Sequence, residues 1–75
     1  MDILLTTFLG LLDNMNVVIT YYDAVILEGE SLPICEGIER GNSNDWLDPD
    51  TNIDLASLCV SIVTLKGDAL WIETF

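Results

Sequence analysis

The spacing of apolar residues changes along the chain, and it predicts one short helix followed by two β-hairpins. In "TTFLGLLDN" and the residues just after it, the apolar residues recur at helical spacing behind a threonine that can cap the helix. This set comprises Thr6 or Thr7 as the cap, then Phe8, Leu9, Leu11, Leu12 and Met15. Asp13-Asn14 supplies turn-forming residues, so we expect the helix to end there.

Two later segments are rich in β-forming residues and predict strands. "NVVITYYDAVILEGE" gives runs at 17–22 and 25–27, with residues 28–30 closing the second strand. It contains no Asn-Gly or Asp-Gly turn, which leaves the register of this hairpin open. "LCVSIVTLKGDALWIETF" predicts strands at 59–65 and 69–75 around a Lys66-Gly67-Asp68 turn, because Gly67 can adopt a positive φ.

The segment between the hairpins, residues 31–54, is the least regular part of the chain. Glycines and prolines interrupt it at Pro33, Gly37, Gly41 and Pro49. Its apolar residues Ile34, Cys35 and Ile38 are expected to lie beneath the sheet.

Together these elements predict a single α+β domain over residues 1–75. We expect a short N-terminal helix packed on an antiparallel sheet of about four strands, with an irregular acidic central segment. A chain this short cannot easily bury all of its large apolar side chains, which favours an apolar surface shared with a partner or a second copy.

The net charge of −11 narrows the classes of partner. Thirteen carboxylates face only two basic residues, Arg40 and Lys66. Two bases cannot neutralise a nucleic-acid backbone or hold an anionic membrane, so we expect neither direct nucleic-acid binding nor membrane binding. The partner that this charge favours is a basic protein surface.

The cysteine content and the N-terminus are typical of a cytoplasmic protein. Cys35 and Cys59 are the only cysteines, whereas secreted domains of this size usually carry several disulfides. "MDILLTTFLGLLDN" lacks the basic start of a signal peptide and is too interrupted to span a membrane. We interpret the cysteines as reduced thiols, with a Cys35–Cys59 disulfide as the alternative.

The stretch "NDWLDPDTNID" places Asp48, Asp50, Asn52 and Asp54 at alternate positions, as in a calcium-binding loop. An EF-hand loop starting at Asp48 would need glycine and glutamate where Ile53 and Cys59 stand, so no metal site is predicted. Turn and helix-capping roles for Asp48, before Pro49, and for Asp54, before "LASL", account for part of the pattern.

Residues 36–54 contain six carboxylates and a tryptophan. They are Glu36, Glu39, Asp45, Asp48, Asp50 and Asp54, with Trp46. A solvated acidic loop is one interpretation. The other is phosphate mimicry, in which carboxylates occupy Lys and Arg sites that normally hold nucleic acid. Trp46 would then anchor the interface, although a tryptophan covering the sheet explains it equally well.

Catalysis is not predicted. The chain has no histidine, neither cysteine has an evident base partner, and Lys66 lies in a hairpin turn. Nothing in the sequence indicates a cofactor.

Two segments resemble small acidic proteins of phages and mobile elements of Gram-positive gut bacteria. The first covers the helix end and first hairpin, and the resemblance is carried by Leu11, Leu12, Asp13, Val18, Tyr22, Asp23, Leu27, Gly29 and Glu30. The second is the strand pair 60–73. Most such proteins are uncharacterised, and they include anti-CRISPR and other counter-defence proteins. The resemblance therefore implies a phage-type accessory protein that acts in the cytoplasm of a bacterial host cell.

Two functional hypotheses follow. The first is a non-enzymatic, anti-CRISPR-like DNA mimic that inhibits a host defence nuclease, plausibly a CRISPR effector. It would bind through Glu36, Glu39, Asp45, Trp46, Asp48, Asp50 and Asp54. The second is a small structural or regulatory domain that self-associates, for example as a homodimer, through its excess apolar surface.

Overall fold

The structure, a computed structural model, describes residues 2–40 and 53–75. It contains two α-helices, one 3-10 helix and five strands in these two ranges. In chain order they are β1 (Ile3–Leu4), α1 (Leu5–Leu11), β2 (Asn16–Tyr21), β3 (Ala24–Glu30), α2 (Ser31–Glu39), the 3-10 helix (Leu55–Ser57), β4 (Cys59–Lys66) and β5 (Ala69–Thr74). The α+β class predicted from the sequence is confirmed.

The five strands form one mixed sheet with the order β1-β4-β5-β2-β3. Both predicted hairpins are present, β2 with β3 and β4 with β5. They join through a parallel pairing of β2 with β5, in which Val17 lies opposite Leu70 and Ile19 opposite Ile72. The sheet differs from the predicted antiparallel sheet of about four strands in two details: β1 adds a fifth strand, and the two hairpins meet in parallel, which makes the sheet mixed.

The two central strands owe their position to their apolar content. Val17, Ile19 and Ile72 are almost completely buried, and strands with this burial belong in the middle of a sheet. The helices cover the face on which these side chains lie, because the core joins them to Leu5 and Leu9 of α1 and to residues of α2. A buried hydrogen bond also joins β2 and β5: the Thr74 hydroxyl donates to the Thr20 carbonyl at 2.7 Å.

Helix α2 corrects the prediction that residues 31–54 begin as an irregular segment. Pro33 lies in the first turn, where a missing N–H leaves no intrahelical bond unmade. Gly37 is buried within the helix, so a residue that usually marks a loop here allows close packing. The expected burial of Ile34, Cys35 and Ile38 is confirmed, but it is achieved by one helical face rather than by an irregular segment.

The start of α2 is held by residues from the loop before β2. Its N-cap residue, Glu30, makes no side-chain capping bond. Instead the Asn14 side chain accepts a hydrogen bond from Leu32 N at 3.2 Å. The fully buried Ser31 hydroxyl accepts from Met15 N at 3.2 Å, and Ser31 N donates to the Met15 carbonyl at 2.8 Å. These bonds fix the junction between β3 and α2 against the sheet.

Helix α1 differs from its predicted form at both ends. It starts at Leu5 without a threonine cap, and Leu5 N instead donates to the Leu58 carbonyl at 2.8 Å. It ends at Leu11, whose side chain is 78% exposed, and Met15 lies beyond it. The predicted apolar stripe was therefore only partly correct, because a seven-residue helix buries only two of its leucines.

Both hairpins turn through two residues. Tyr22 and Asp23 have φ values of 50° and 67°, and positive φ at both central positions is typical of a type I′ turn. In the second hairpin Gly67 has φ of 60°, as the sequence predicted, and Asp68 completes the turn. The register left open for the first hairpin includes an irregularity that leaves Ile26 without an opposite residue.

Candidate functional site

The carboxylates form a surface array rather than a buried cluster. All ten Asp and Glu residues in the described ranges are exposed. The two basic residues, Arg40 and Lys66, are exposed as well. Exposed carboxylates leave their acceptor oxygens available to a partner, so this surface is suited to contact with Lys and Arg side chains.

Three of the predicted site residues lie in the described ranges. Glu36 and Glu39 stand one turn apart on the exposed side of α2. Asp54 precedes the 3-10 helix, which contacts α2 in the fold. The structure therefore places these three acids on neighbouring elements on the helical side of the sheet. The other four predicted site residues lie outside the described residues: Asp45, Trp46, Asp48 and Asp50. The first three positions of the calcium-loop pattern, Asp48, Asp50 and Asn52, lie outside them as well.

Asp54 has a structural role in addition to its charge. Its side chain accepts a hydrogen bond from Ala56 N at 3.2 Å, and its carbonyl accepts from Ser57 Oγ at 2.9 Å. The predicted capping of the "LASL" turn is confirmed. A substitution that tests the charge of Asp54 must therefore keep an acceptor oxygen at this position.

The buried thiol of Cys35 lies behind Glu39. Two acceptors are within reach of its single S–H, the Thr6 carbonyl at 3.5 Å and Glu39 Oε1 at 3.7 Å from Sγ. Burial raises the pKa of the Cys35 thiol, and the nearby carboxylate charges of Glu39 and Glu36 raise it further. The thiol form is thus favoured over the thiolate that nucleophilic chemistry requires. Neither Cys35 nor Cys59 forms a disulfide in the structure.

A groove runs along the outer side of β3 and was not predicted from the sequence. It has a volume of about 570 Å³ and lies between β3 and the first turn of α2. Six successive strand residues, 25–30, line it together with Pro33 and Ile34. Glu28 and Glu30 flank it, so its composition combines an apolar floor with two exposed carboxylates.

Glycine contributes to the shape of this groove. Gly29 lies opposite Val17 and has a φ of 149°, in the region that favours glycine. A Cβ at this position would lie 3.8 Å from Ile34 Cδ1, so Gly29 faces the buried side chain of Ile34 across the groove. The pattern Glu-Gly-Glu at the end of a strand is the signal in the sequence that could have indicated this feature.

The opposite edge of the sheet is apolar. β1 pairs with β4 only at Cys59 and Val60, and within the described residues nothing pairs with the outer side of β4 after that point. Ile62 and Leu65 of this strand are 55% and 67% exposed, and Val63 is also exposed. β4 contains no carboxylate, which distinguishes it from β3.

The sheet face opposite the helices carries a small polar pocket near Trp71. It is lined by Thr20, Asp23, Thr64, Lys66, Trp71 and Glu73 and has a volume of about 240 Å³. Lys66 Nζ lies 4.6 Å from the centre of the Trp71 ring, in a cation–π contact that covers the ring.

Within residues 2–40 and 53–75, no three Cys, Asp or Glu side chains come together in a metal-binding group. Neither helix in these ranges has the length and apolar character needed to cross a bilayer.

Comparison with known proteins gives no relative: no family model matches the chain, and no curated protein or solved structure matches it. The resemblance to acidic phage proteins therefore stays a prediction from the sequence.

Proposed function

We propose that this protein is a non-enzymatic inhibitor that binds the basic nucleic-acid-binding surface of a host defence nuclease, such as a CRISPR effector. The observation that carries the proposal is the exposure of all ten described carboxylates on a chain of net charge −11. A small rigid surface of this charge can replace phosphates in a channel lined by Lys and Arg.

The rigidity of the acidic surface supports this mode of binding. Glu36 and Glu39 project from a helix whose buried face is fixed in the core through Ile34 and Ile38. Side chains on a packed helix lose less conformational entropy on binding than side chains on an unanchored segment.

The environment of Cys35 supports the non-enzymatic part of the proposal. The best candidate nucleophile in the described ranges is a buried thiol with a raised pKa and a carboxylate neighbour. Such a group stays protonated near neutral pH and reacts slowly. Binding, rather than chemistry on a substrate, is the activity that the surface supports.

The test is a DNA-cleavage assay with a panel of purified, guide-loaded CRISPR effectors. We expect inhibition of at least one effector, relieved by added DNA and weakening steeply as salt rises, because the contacts are between exposed charges. Failure to inhibit any effector, or inhibition that is unchanged by salt, would contradict the proposal.

Charge variants locate the contact. The double variant Glu36→Lys/Glu39→Lys and the single variant Asp54→Asn should weaken inhibition, the latter while keeping an oxygen to accept the Ala56 N–H. Charge reversal at Asp48 and Asp50 tests the remaining predicted site. The matched control is Asp2→Lys/Asp68→Lys, which makes the same change in net charge at residues outside α2. If the control weakens inhibition equally, net charge rather than this site is responsible.

A second candidate function, self-association as a structural or regulatory domain, is favoured by the apolar residues of β4. Ile62 and Leu65 are exposed on an edge without carboxylates. Salt distinguishes the two candidates, because apolar association holds or strengthens at high salt while contacts between charges weaken. Sedimentation velocity at two salt concentrations measures the difference.

A further inference from the structure

We infer that the groove along β3 binds an extended polypeptide segment in which apolar and basic side chains alternate, by adding a strand to the sheet. This inference concerns a site that the proposed nuclease inhibition does not require, since the acids of α2 can contact a basic channel without it. The two can therefore be tested separately.

The outer edge of β3 is unpaired within the described residues. In the described part of the chain β3 pairs only with β2, so alternate backbone N–H and C=O groups along residues 24–30 point away from the sheet. An edge of this kind can accept a further strand through main-chain hydrogen bonds. Seven residues span roughly 23 Å, which is long enough for a strand of typical length.

The shape of the groove favours an extended ligand. Six successive residues of β3 line it, so it follows the strand rather than forming a round pocket, and an elongated ligand fits it better than a compact one. Its other wall is the first turn of α2, where Pro33 is exposed and the buried Ile34 lies across from Gly29. Apolar side chains on one face of an added strand would lie against this wall.

Charge complementarity determines which side chains the second face of an added strand would carry. Glu28 and Glu30 share one face of β3, because side chains alternate along a strand, and Glu28 lies opposite Val18. Val18 and Glu28 also line a shallow pocket on the face opposite the helices. An added strand would place every second side chain next to these carboxylates, where Lys or Arg is favoured.

The same carboxylates disfavour a second copy as the occupant. Antiparallel pairing of two β3 strands over their full length would make Glu28 of each copy a diagonal neighbour of Glu28 of the other. Like charges on paired strands are destabilising, and each chain adds a net charge of −11. The groove therefore selects a basic partner over self-pairing.

The probe for the test is a blocked heptapeptide of alternating lysine and valine, titrated into isotopically labelled protein and followed by amide NMR shifts. We expect saturable shifts centred on residues 25–30 and on Ile34. Two control peptides isolate the mechanism: the same sequence N-methylated at every residue, which cannot donate main-chain hydrogen bonds, and an alternating glutamate–valine peptide. Neither should bind.

Two protein variants complete the test. Glu28→Gln/Glu30→Gln should weaken peptide binding about five- to tenfold, as expected for two exposed ion pairs. Glu36→Gln/Glu39→Gln removes the same charge from α2 and should change it about twofold or less. Amide shifts spread over all acidic residues, equal losses in the two variants, equal binding of the N-methylated peptide, or no saturable binding would each overturn the inference.

Sedimentation of the free protein provides a last check on the occupant. Dimers that are lost on Val25→Lys but persist in Leu65→Lys would show that a second copy occupies the β3 edge, which would also overturn the inference. A monomer that still binds the peptide supports it. Nuclease inhibition, measured separately, stands or falls independently of these results.

Discussion

The β3 edge of the sheet carries Glu28 and Glu30, whereas the β4 edge carries no carboxylate from Cys59 to Lys66. β3 is also anchored to the core through Leu27 and continues directly into α2, while the outer half of β4 exposes Ile62 and Leu65. The short strand β1 pairs with the first two residues of β4 only.

This contrast shows two ways of controlling a sheet edge. Charged side chains on β3 oppose pairing with another copy and leave the edge open to a basic partner. On β4 a short neighbouring strand closes one end, and the apolar side chains beyond it are protected only by the net charge of the whole molecule. The acidic edge is therefore selective, and the apolar edge is the more sensitive to added salt.

The largest expected effect compares one leucine from each edge. Leu27→Ala should lower the free energy of unfolding by about 2–4 kcal/mol, because Leu27 is 6% exposed and its loss leaves a cavity in the core. Leu65→Ala makes the same chemical change on β4 and should cost less than about 0.5 kcal/mol. Urea unfolding followed by tryptophan fluorescence measures both values. Similar losses would show that the β4 edge is buried in solution.

An intermediate effect tests the anchoring of β3 to α2. Ser31→Ala should destabilise the protein by about 1–3 kcal/mol, because it leaves the Met15 N–H without its acceptor at a fully buried site. Ser61→Ala, on exposed β4, is the matched control and should change stability by about 0.5 kcal/mol or less. Urea unfolding of the two variants makes the comparison. A negligible effect of Ser31→Ala would mean that water replaces its hydroxyl.

The smallest effects concern the turns that connect each edge strand to its central neighbour. Gly67→Ala should destabilise by about 1 kcal/mol, because alanine is strained at the positive φ of this position. Asp23→Gly should stabilise by about 0.5 kcal/mol at most, since glycine adopts the φ of 67° without strain. Thermal unfolding midpoints should therefore move in opposite directions. Shifts in the same direction would contradict this account of the turns.

Local patterns in the sequence were sufficient to predict the hairpins. In β2, Val17 and Ile19 alternate with less buried residues. In the second hairpin, the glycine of Lys66-Gly67-Asp68 indicates the turn between β4 and β5. Tyr22-Asp23 gives a weaker signal, because Asp23 is a residue that adopts positive φ but Tyr22 is not. That turn is imposed by the pairing of the strands around it rather than by its own residues.

The parts that could not be predicted depend on contacts between distant segments. The parallel pairing of β2 with β5 involves strands from different hairpins, and no turn chemistry specifies it. Pro33 and Gly37 made α2 difficult to predict. Proline fits a helix only in its first turn, and the buried position of Gly37 within α2 depends on the fold.

The candidate site divides in the same way. Exposure of Glu36, Glu39 and Asp54 follows from their charge and was predictable. Trp46 and its neighbouring acids remain a prediction. The groove beside Glu28 and Glu30 could not be predicted, because it exists only where the edge of β3 meets the first turn of α2.

The hydrogen bond from Thr74 to Thr20 joins residues 54 positions apart in the chain, and it has a consequence for the order of folding. Hairpins with two-residue turns can form within microseconds, whereas the parallel pair must close a loop more than ten times longer than either turn. We therefore expect each hairpin to form early and their meeting at β2 and β5 to limit the refolding rate. Stopped-flow kinetics of Thr74→Val test this expectation: slower refolding supports it, and a change in the unfolding rate alone would place this pairing after the rate-limiting step.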